Sequence, residues 1–384
     1  MPWFARSPCS AAPRNPGDTP AFAMTPTPFP TASSPLPRRH ALAALLAATL
    51  GAPLSAPWAR ARVDEPAAYG RRDDVLALAA EIARRHALEP AWVEAALAQA
   101  RHQPTVVQLM QPPVAGTAKN WAAYRARFIE PLRIRAGVAF WREHADWLAM
   151  AQSRFGVPPS IVVGIVGVES IYGREVGRWR VLDTLATLAL DFPKTERRDR
   201  SAFFADELGR FLALCRRDGT DPTGPLGSFA GAMGWPQFMP SAIEQYAVDF
   251  DGDDRIDLHT SPADVIGSVA HYLAAFDWQP GVATHHAVAA PVEVADRAAL
   301  LGPDILPSFT AAEFAARGAR LDAAGQRHGG LLALVELQNG DAAPSYVAGT
   351  ENFYAITRYN RSSYYAMAVI ELGAAVQAVV EATA

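Results

Sequence analysis

A run of seventeen residues with a single carboxylate, 157–173, constrains the fold more than any other part of the chain. It reads VPPSIVVGIVGVESIYG, and the carboxylate, Glu169, follows a series of isoleucines and valines. Pro158 and Pro159 are predicted to end the preceding helix, and Ser160 is predicted to cap the helix that carries Glu169. Burial disfavours the charged form of a carboxyl and raises its pKa, as a general acid near neutral pH requires. The alternative is a helix-end carboxylate that turns to solvent or caps a neighbour.

Two glycines of this run indicate how the helix packs. Gly164 and Gly167 are three residues apart, so another backbone can approach one face of the helix closely. After Glu169 the sequence YGRE loses its apolar period, which predicts a turn leading into a helix over 182–190. Glu169 is therefore expected near a helix C-terminus, facing a cleft.

The first sixty residues are typical of an export signal. Arg38 and Arg39 precede the apolar stretch 41–50, and small residues follow it. That order predicts a secretory signal peptide, and the paired arginines allow twin-arginine export. The stretch is too short for a membrane span, and no cysteine lies near the cleavage region for lipid attachment. We expect a signal peptide and disordered leader over 1–62, a start at Met1 or Met24, and a periplasmic protein without a lipid or stable membrane anchor.

Composition narrows the function. Half of the 384 residues are hydrophobic, enough for a large core and two or three domains. The net charge of -4 and the lack of a Lys/Arg block argue against nucleic-acid partners. The two cysteines, Cys9 and Cys215, exclude a disulfide framework, and no Cys/His spacing predicts zinc.

Apolar periodicity predicts helices over 73–84, 90–101, 121–136 and 138–155. The aromatic residues of the last of these are interpreted as core, since an aromatic stripe at helical spacing is more often core than a ligand platform.

Further along, 287–294 and 331–337 are predicted strands, with a turn at Asn339-Gly340. His285 and His286 lack further ligands at metal spacing and are interpreted as a surface pair. The stretch 364–380 predicts a helix that returns to the main lobe and brings Tyr365 to the cleft.

A glycine- and proline-rich stretch over 227–241 predicts a constrained loop that offers Ser228 and Gln237 as hydrogen-bonding groups. The alternative is a long ordered connector, which accounts less well for the polar residues.

The acidic stretch that follows has the spacing of a calcium loop. Its positions one, three, five, seven and nine are Asp249, Asp251, Asp253, Arg255 and Asp257, and position seven is asked only for a backbone carbonyl. Position six is Asp254 where glycine is usual, and aspartate tolerates a left-handed backbone better than most residues. Position twelve is Thr260, so the last acidic ligand must come from elsewhere, and Asp264 is the nearby candidate. The alternative is a solvated acidic turn.

Together these motifs resemble the lytic murein transglycosylase B family of bacterial cell-wall enzymes, glycoside hydrolase family 103, within the lysozyme-like superfamily. The likeness runs from about residue 70 onward and is carried by 164–174, 182–188, 227–234, 236–240, the calcium-type loop, 352–360 and 365–368.

The resemblance implies a mainly α protein with a lysozyme-like core lobe and an EF-hand-like calcium loop. We place an N-terminal α domain at 63–140, the catalytic core at 141–284, a small β-containing insertion at 285–350 and a segment returning to the core at 351–384. It also implies cleavage between N-acetylmuramic acid and N-acetylglucosamine in peptidoglycan without net addition of water, leaving 1,6-anhydromuramoyl ends.

By the family motif, the catalytic acid falls on Glu169. Substrate-binding positions fall on Ser228, Gln237, Tyr359, Asn360 and Tyr365. Calcium ligands fall on Asp249, Asp251, Asp253, Arg255 and Asp264, with one more residue before Asp264 than the family pattern has. We expect structural calcium, a monomer, and glycan strands of peptidoglycan as the partner.

One acid also defines the mechanism. Ordinary glycosidases need a second carboxylate, and nothing near Glu169 in sequence is compelling. Glu169 could protonate the leaving oxygen, the substrate's acetamido group stabilise the cationic centre, and the carboxylate then accept the proton of the C6 hydroxyl. Two alternatives stay open: a hydrolytic muramidase whose second carboxylate is Glu175, Asp183 or Asp191, and a non-catalytic peptidoglycan- or calcium-binding protein.

Overall fold

The computed structural model describes residues 67–111, 119–193 and 199–383. The predicted signal peptide and leader, 1–62, lies outside these residues. The described part is mainly α, as the sequence predicts, with fifteen α-helices, one 3-10 helix (Gly325–Arg327) and six short strands.

The α-helices of the described residues are α1 (Asp73–His86), α2 (Pro90–Ala98), α3 (Pro104–Leu109), α4 (Trp121–Arg125), α5 (Pro131–Glu143), α6 (Ala145–Phe155), α7 (Pro159–Ser170), α8 (Val181–Leu190), α9 (Ser201–Arg217), α10 (Pro240–Tyr246), α11 (Pro262–Ala275), α12 (Val294–Leu301), α13 (Ala311–Ala316), α14 (Glu351–Tyr359) and α15 (Ser363–Ala382). The strands are β1 (Trp179–Arg180), β2 (Leu226–Gly227), β3 (His285–Ala289), β4 (Arg320–Leu321), β5 (Ala333–Asn339) and β6 (Ala342–Gly349).

The single helix predicted over 121–136 is wrong, because the chain forms α4 and then starts α5 at Pro131. Proline needs no hydrogen-bond acceptor at the first position of a helix. The Glu130 side chain accepts from the backbone N–H groups of Leu132 and Arg133, which caps the new helix.

Two further predicted boundaries are corrected. The helix predicted over 138–155 breaks at His144, whose φ of -118° and ψ of 27° leave the helical range, so α6 starts one residue later. Ser160 is not the cap of α7, since the cap is Pro158 and Pro159 takes the first helical position. In both cases the backbone angles of one residue decide the boundary.

The centre of the fold is the pair α7 and α15. A Cβ on Gly164 would lie 2.2 Å from the carbonyl oxygen of Val369, and one on Gly373 would lie 2.0 Å from that of Ser160. The two helices therefore meet backbone to backbone, which confirms the close approach predicted from Gly164. Eight residues of α7 are buried, so the apolar run is the core of the molecule.

A second, smaller core lies under the sheet. β4, β3, β6 and β5 form a four-stranded antiparallel sheet in that order. The strand predicted over 287–294 is too long, because β3 ends at Ala289 and Val294 begins α12. The turn at Asn339-Gly340 is confirmed, with Gly340 at φ 64° between β5 and β6. Its core contains Leu300, Phe314, Ala319, Leu321, Leu332, Leu334 and Ala348.

The main apolar core extends from Tyr69 in the N-terminal region to Val376 in α15. The helices before and after residue 140 share it, and the domain boundaries given above stay a prediction. Among the described residues, α15 alone is long and apolar enough to cross a membrane, and half of its apolar window is buried inside the fold.

Candidate active site

Glu169 lies in the last turn of α7 and lines a cavity of about 310 Å³. The residue is partly exposed, and the exposed part opens into this cavity. Helices α9, α10, α11 and α14 and the loop before α10 supply the other walls. Lining residues beside Glu169 include Gln237, Phe238, Met239, Tyr246, Tyr272, Phe276, Arg358, Tyr359 and Asn360.

The closest polar partner of Glu169 is Tyr365 of α15. The Tyr365 hydroxyl donates to Oε1 of Glu169 at 2.6 Å, and Tyr365 is only 2% exposed. Burial raises the pKa of Glu169 from 4.5 to about 7, and the hydrogen bond from Tyr365, which favours the charged form, acts in the opposite direction. The carboxyl is thus protonated over much of the pH range in which a general acid has to work.

Aromatic rings surround this carboxyl. The Tyr359 ring stacks on Tyr365 with centroids 6.2 Å apart, and Tyr272 contacts Tyr359 at 4.8 Å. The Tyr359 hydroxyl donates to the Pro236 carbonyl at 2.6 Å, which joins α14 to the glycine-rich loop. Burial first, and then the charge of Glu169, raise the pKa of both Tyr359 and Tyr365 well above 10, so these hydroxyls stay protonated donors.

The turn after Glu169 has an unusual backbone. Ile171, Tyr172 and Gly173 have φ of 49°, 55° and 83°, three left-handed residues in a row. A β-branched residue at positive φ is an outlier, and strain of this kind costs about 1–3 kcal/mol per residue and clusters at functional sites. The Ser170 hydroxyl accepts from the Gly173 N–H at 3.1 Å and helps to hold the turn.

The loop over 227–241 is ordered by its own side chains. The Ser228 hydroxyl accepts from the N–H groups of Ala230 and Ala232, and Ser228 is buried and is not one of the cavity-lining residues. Gln237 does line the cavity, at φ 52°, and its amide donates to the carbonyls of Val176 and Gly234. The structure therefore brings Gln237 to Glu169 and leaves Ser228 inside the loop.

Asn360 lies at the end of α14 and is 6% exposed. Its Oδ1 is buried without a hydrogen-bond partner although the residue lines the cavity. A buried acceptor without a partner is costly, so a ligand N–H at this point would relieve that cost.

The sequence proposed three carboxylates as alternatives for a second catalytic acid, and none of them lines the cavity of Glu169. Glu175 is exposed beyond the turn. Asp183 is buried and accepts from the Arg101 N–H and the Gln103 amide. Asp191 accepts from the Tyr69 hydroxyl at 2.5 Å. Asp183 and Asp191 thus hold the N-terminal region against α8.

Two carboxylates that the sequence did not single out do line the cavity. Glu207 is 1% exposed and accepts from both the N–H and the hydroxyl of Ser241, at 2.9 and 2.6 Å. Asp206 pairs with Arg210 and Arg85. Both are engaged by donors of the protein, so neither is a free base beside Glu169.

Tyr124 and Tyr272 also lie near Glu169 and were not predicted from the sequence as residues of the site. The charge of Glu169 contributes to the raised pKa of each, after burial as the main cause. Tyr124 belongs to the short helix α4, and Tyr272 lies inside the apolar pattern of α11, where it resembles an ordinary core residue. No local pattern distinguishes such a residue from core.

The acidic loop folds next to the glycine-rich loop. Carboxylate oxygens of Asp249, Asp251 and Asp264 lie within 4.8 Å of one another. Asp264 is 1% exposed, and its two oxygens accept from the N–H groups of Phe250 and Asp257. Burial, and less strongly the charges of Asp251 and Asp249, raise the pKa of Asp264.

Asp253 and Arg255 are exposed, and Asp253 Oδ1 accepts from the Arg255 N–H. Asp253 is not part of the group of three carboxylates. Asp254 adopts φ 67°, the left-handed backbone expected at the sixth position of the loop. Three carboxylates that converge on one point suit a hard cation with oxygen ligands.

The interpretation of His285 and His286 as a surface pair is corrected by burial. His286 is 8% exposed, with its Nδ1 3.7 Å from Asp322 and its ring 5.3 Å from that of His328. β3 places it under the turn at Gly325, so pairing in the sheet, which sequence spacing does not reveal, buries it.

Comparison with known proteins defines the class. Residues 71–374 match the family model of the transglycosylase SLT domain, so the chain belongs to that family.

Individual relatives agree. The chain is 39% identical over 304 residues to the membrane-bound lytic murein transglycosylase B of Escherichia coli (strain K12), covering 77% of this chain and 80% of that protein. The structure of the Escherichia coli lytic transglycosylase Slt35 in complex with calcium superposes with a TM-score of 0.70 at 36% identity, covering 81% of this chain and 95% of that chain. SltB3 from Pseudomonas aeruginosa in complex with NAG-anhNAM-pentapeptide gives a TM-score of 0.65 at 29% identity, covering 78% of each chain.

Proposed function

We propose that this protein is a lytic transglycosylase that cleaves the β-1,4 bond between N-acetylmuramic acid and N-acetylglucosamine in peptidoglycan and leaves 1,6-anhydromuramoyl ends. The observation that carries the proposal is a carboxyl with a pKa raised to about 7 that is hydrogen-bonded to Tyr365 and faces the cavity. The family, and relatives named for lytic transglycosylase activity, support the same reaction.

Glu169 acts twice in the proposed mechanism. The protonated carboxyl donates to the glycosidic oxygen as the bond from that oxygen to C1 of the muramoyl residue breaks. The substrate's acetamido group stabilises the positive charge at C1. The Glu169 carboxylate then removes the proton of the C6 hydroxyl, whose oxygen bonds to C1 and closes the anhydro ring. Glu169 ends protonated, and no water is added.

The remaining site residues bind the substrate or adjust the pKa of Glu169. Tyr365 donates to Glu169, which favours the charged form of the carboxyl and lowers its pKa against the effect of burial. Tyr359 and Tyr272 supply flat faces, and Asn360 offers an acceptor without a partner of its own. Gln237 lines the cavity beside Glu169, whereas Ser228 shapes the loop that carries it.

We further propose that the acidic loop holds one calcium ion through Asp249, Asp251 and Asp264, with Asp253 and the carbonyl of Arg255 as additional ligands. The convergence of three carboxylates supports this proposal, since without a counter-ion they repel one another. A structure of Slt35 contains calcium, and that relative matches 95% of its own length to this chain. The ion would supply structural stability and takes no part in the chemistry.

A substrate in the cell wall places the enzyme in the cell envelope. The finer proposal is a periplasmic enzyme exported by the segment 1–62. It is also proposed to act as a monomer.

Product mass tests the reaction. Purified sacculi are digested with the wild type, with Glu169→Gln and with the control Glu175→Gln, and soluble muropeptides are measured by mass spectrometry. The wild type and the control should release anhydromuropeptides, while Glu169→Gln should be slower by about a hundredfold to ten-thousandfold. Reducing muropeptides, heavier by one water, would instead identify a hydrolytic muramidase. Undiminished release by Glu169→Gln would contradict the proposed acid.

A further inference from the structure

The strained turn after Glu169 is held from the side by Trp235 of the glycine-rich loop. A Cβ on Gly173 would lie 2.2 Å from Cε2 and 2.5 Å from Nε1 of Trp235, so the indole rests directly on the glycine backbone. Gly173 is the third left-handed residue of the turn, and glycine satisfies both that backbone and the contact. Trp235 is absent from the residues that line the cavity, so it reaches Glu169 only through this turn.

Trp235 is itself fixed by the end of the acidic loop. Its indole Nε1 donates to the His259 carbonyl at 2.7 Å, and its backbone N–H donates to the Leu258 carbonyl at 2.9 Å. The preceding Gly234 also packs on Leu258, where a Cβ would lie 2.6 Å from the carbonyl oxygen. The position of residues 258 and 259 therefore sets the position of the indole.

Hydrogen bonds continue from those carbonyls to the carboxylate cluster. Asp257 Oδ1 accepts from the N–H groups of His259 and Thr260, both at 2.8 Å. The Asp257 N–H donates to Oδ2 of Asp264 at 2.7 Å, and Asp264 belongs to the group of three carboxylates. A continuous path of contacts thus runs from Asp264 through Asp257, His259 and Trp235 to Gly173.

We propose that Trp235 is a positioning residue that couples the cation loop to the turn carrying the catalytic acid. The inference rests on the proposed function and on the proposed calcium site. A filled loop fixes the carbonyls of Leu258 and His259, these fix the indole, and the indole holds Gly173 so that the turn keeps Glu169 in its dry position. Trp235 touches no reacting atom.

The groups around Glu169 indicate how movement of the turn over 171–173 would change the pH profile of kcat. Four tyrosine hydroxyls face Glu169, those of Tyr365 from α15, Tyr359 from α14, Tyr272 from α11 and Tyr124 from α4, and all are neutral below pH 10. The charged groups that line the same cavity are Asp206, Glu207 and Arg210 of α9 and Arg358 of α14. Burial is the main cause of the raised pKa of Glu169, so exclusion of water is what keeps the carboxyl protonated. A turn that moves lets water in and shifts the alkaline limb of the kcat profile to lower pH.

Three variants test the proposal. Trp235→Ala removes both the ring and its N–H, Trp235→Phe keeps a ring on Gly173 but loses the bond to His259, and Trp92→Phe on α2 is the control. For Trp235→Ala we expect the alkaline limb of kcat to move down by about one pH unit, with KM within about twofold. In saturating calcium, the alkaline limb of Trp235→Phe should lie close to that of the wild type. The control, Trp92→Phe, should match the wild type.

A role limited to folding would lower kcat evenly at every pH and leave the limb in place, which would overturn the positioning role. If Trp235→Ala does not fold, Trp235→Phe still decides the question. Its limb should move down on chelation by less than that of the wild type, because the bond that links the ring to His259 is gone. An equal or larger movement would contradict the proposal.

Fluorescence gives a readout independent of activity. Intrinsic emission is recorded for each protein with calcium and with chelator, and Trp235 should carry most of the calcium-dependent difference. The difference should fall at least twofold in Trp235→Phe and persist in Trp92→Phe. Full retention in Trp235→Phe, or no calcium-dependent difference in the wild type, would overturn the coupling even if the transglycosylase reaction is correct.

Discussion

Tyr365 Oη lies 2.6 Å from Oε1 of Glu169, although the two residues are 196 positions apart in the chain. The contact exists because α15 packs backbone to backbone on α7 at Gly164. The acid and the donor that tempers it are therefore set by one helix pair.

The hydroxyl of Tyr365 should set the pH range of activity. Its hydrogen bond favours the charged form of Glu169, so Tyr365→Phe should raise the pKa of Glu169 above about 7 and move the alkaline limb of kcat up by about one unit. The matched control is Tyr364→Phe, whose hydroxyl donates to the Gln338 carbonyl. Rates of muropeptide release over pH 5–9 measure the limb, and a downward shift for Tyr365→Phe would contradict this assignment.

The buried acid should cost stability at high pH. The pKa of Glu169 is about 7 in the folded protein and has the ordinary value of 4.5 in the unfolded chain, so the folded state binds the proton more tightly. Its contribution is present in full below pH 4.5 and is lost as pH rises through 7. Glu169→Gln lacks this loss and should gain up to about 3 kcal/mol over the wild type between pH 5 and pH 8.

Urea unfolding at the two pH values measures that gain. The exposed Glu175→Gln should show the same difference from wild type at both pH values. A Glu169→Gln difference that is also independent of pH would mean that the carboxyl is not desolvated.

Calcium should stabilise the fold through Asp264. At a hundredfold excess over Kd, one bound ion adds about 2.7 kcal/mol to the free energy of unfolding. Asp264→Asn should lose most of this response, while Asp254→Asn should keep it, because Asp254 is outside the carboxylate group and asparagine tolerates its left-handed backbone. Melting temperatures with calcium and with chelator give the response of each protein.

The quantity compared is the difference between the melting temperatures with calcium and with chelator. The melting temperature in chelator alone is not compared, because Asp264→Asn can lower it by disturbing the two backbone hydrogen bonds that Asp264 accepts. An equal calcium response in Asp264→Asn and wild type would remove Asp264 from the site.

The contact between α7 and α15 should tolerate no side chain at Gly164. Gly164→Ala places a Cβ 2.2 Å from the Val369 carbonyl oxygen and must push the helices apart. We expect a loss of about 1–3 kcal/mol in stability and a larger proportional loss of activity, since Tyr365 moves away from Glu169. Gly329→Ala, with nothing within 4 Å of its Cβ, is the control. Urea unfolding and muropeptide release on the same samples separate the two effects.

Local patterns predicted the elements whose signals are local. α1 has aspartates at its start and arginines at its end, and the apolar run of α7 gives way to YGRE, so the ends of these helices were predicted from local signals. The break at Pro131 also has a local signal, Glu130 followed by a proline, but the apolar period over 121–136 continues through it and hides it. The sequence around the break at His144 has no glycine or proline from which the break could be predicted.

The site also contains residues that motifs predicted and residues that only the tertiary structure reveals. Glu169, Gln237, Tyr359, Asn360 and Tyr365 followed from motifs, and the structure brings them to one cavity or its wall. Glu207 and Tyr272 were missed because each looks like part of an ordinary amphipathic helix, and only tertiary packing turns them toward the cavity. The contact of Trp235 with Gly173 joins two loops and has no signature in either.

The strength of the acid depends on the far end of the chain. The walls around Glu169 include α14 and α15, which follow the β-sheet and are the last helices among the described elements. Burial in this pocket is the main cause of the raised pKa of Glu169. A chain that stopped before α14 would therefore be expected to leave this carboxyl in contact with water, ionised at neutral pH and without a proton to donate.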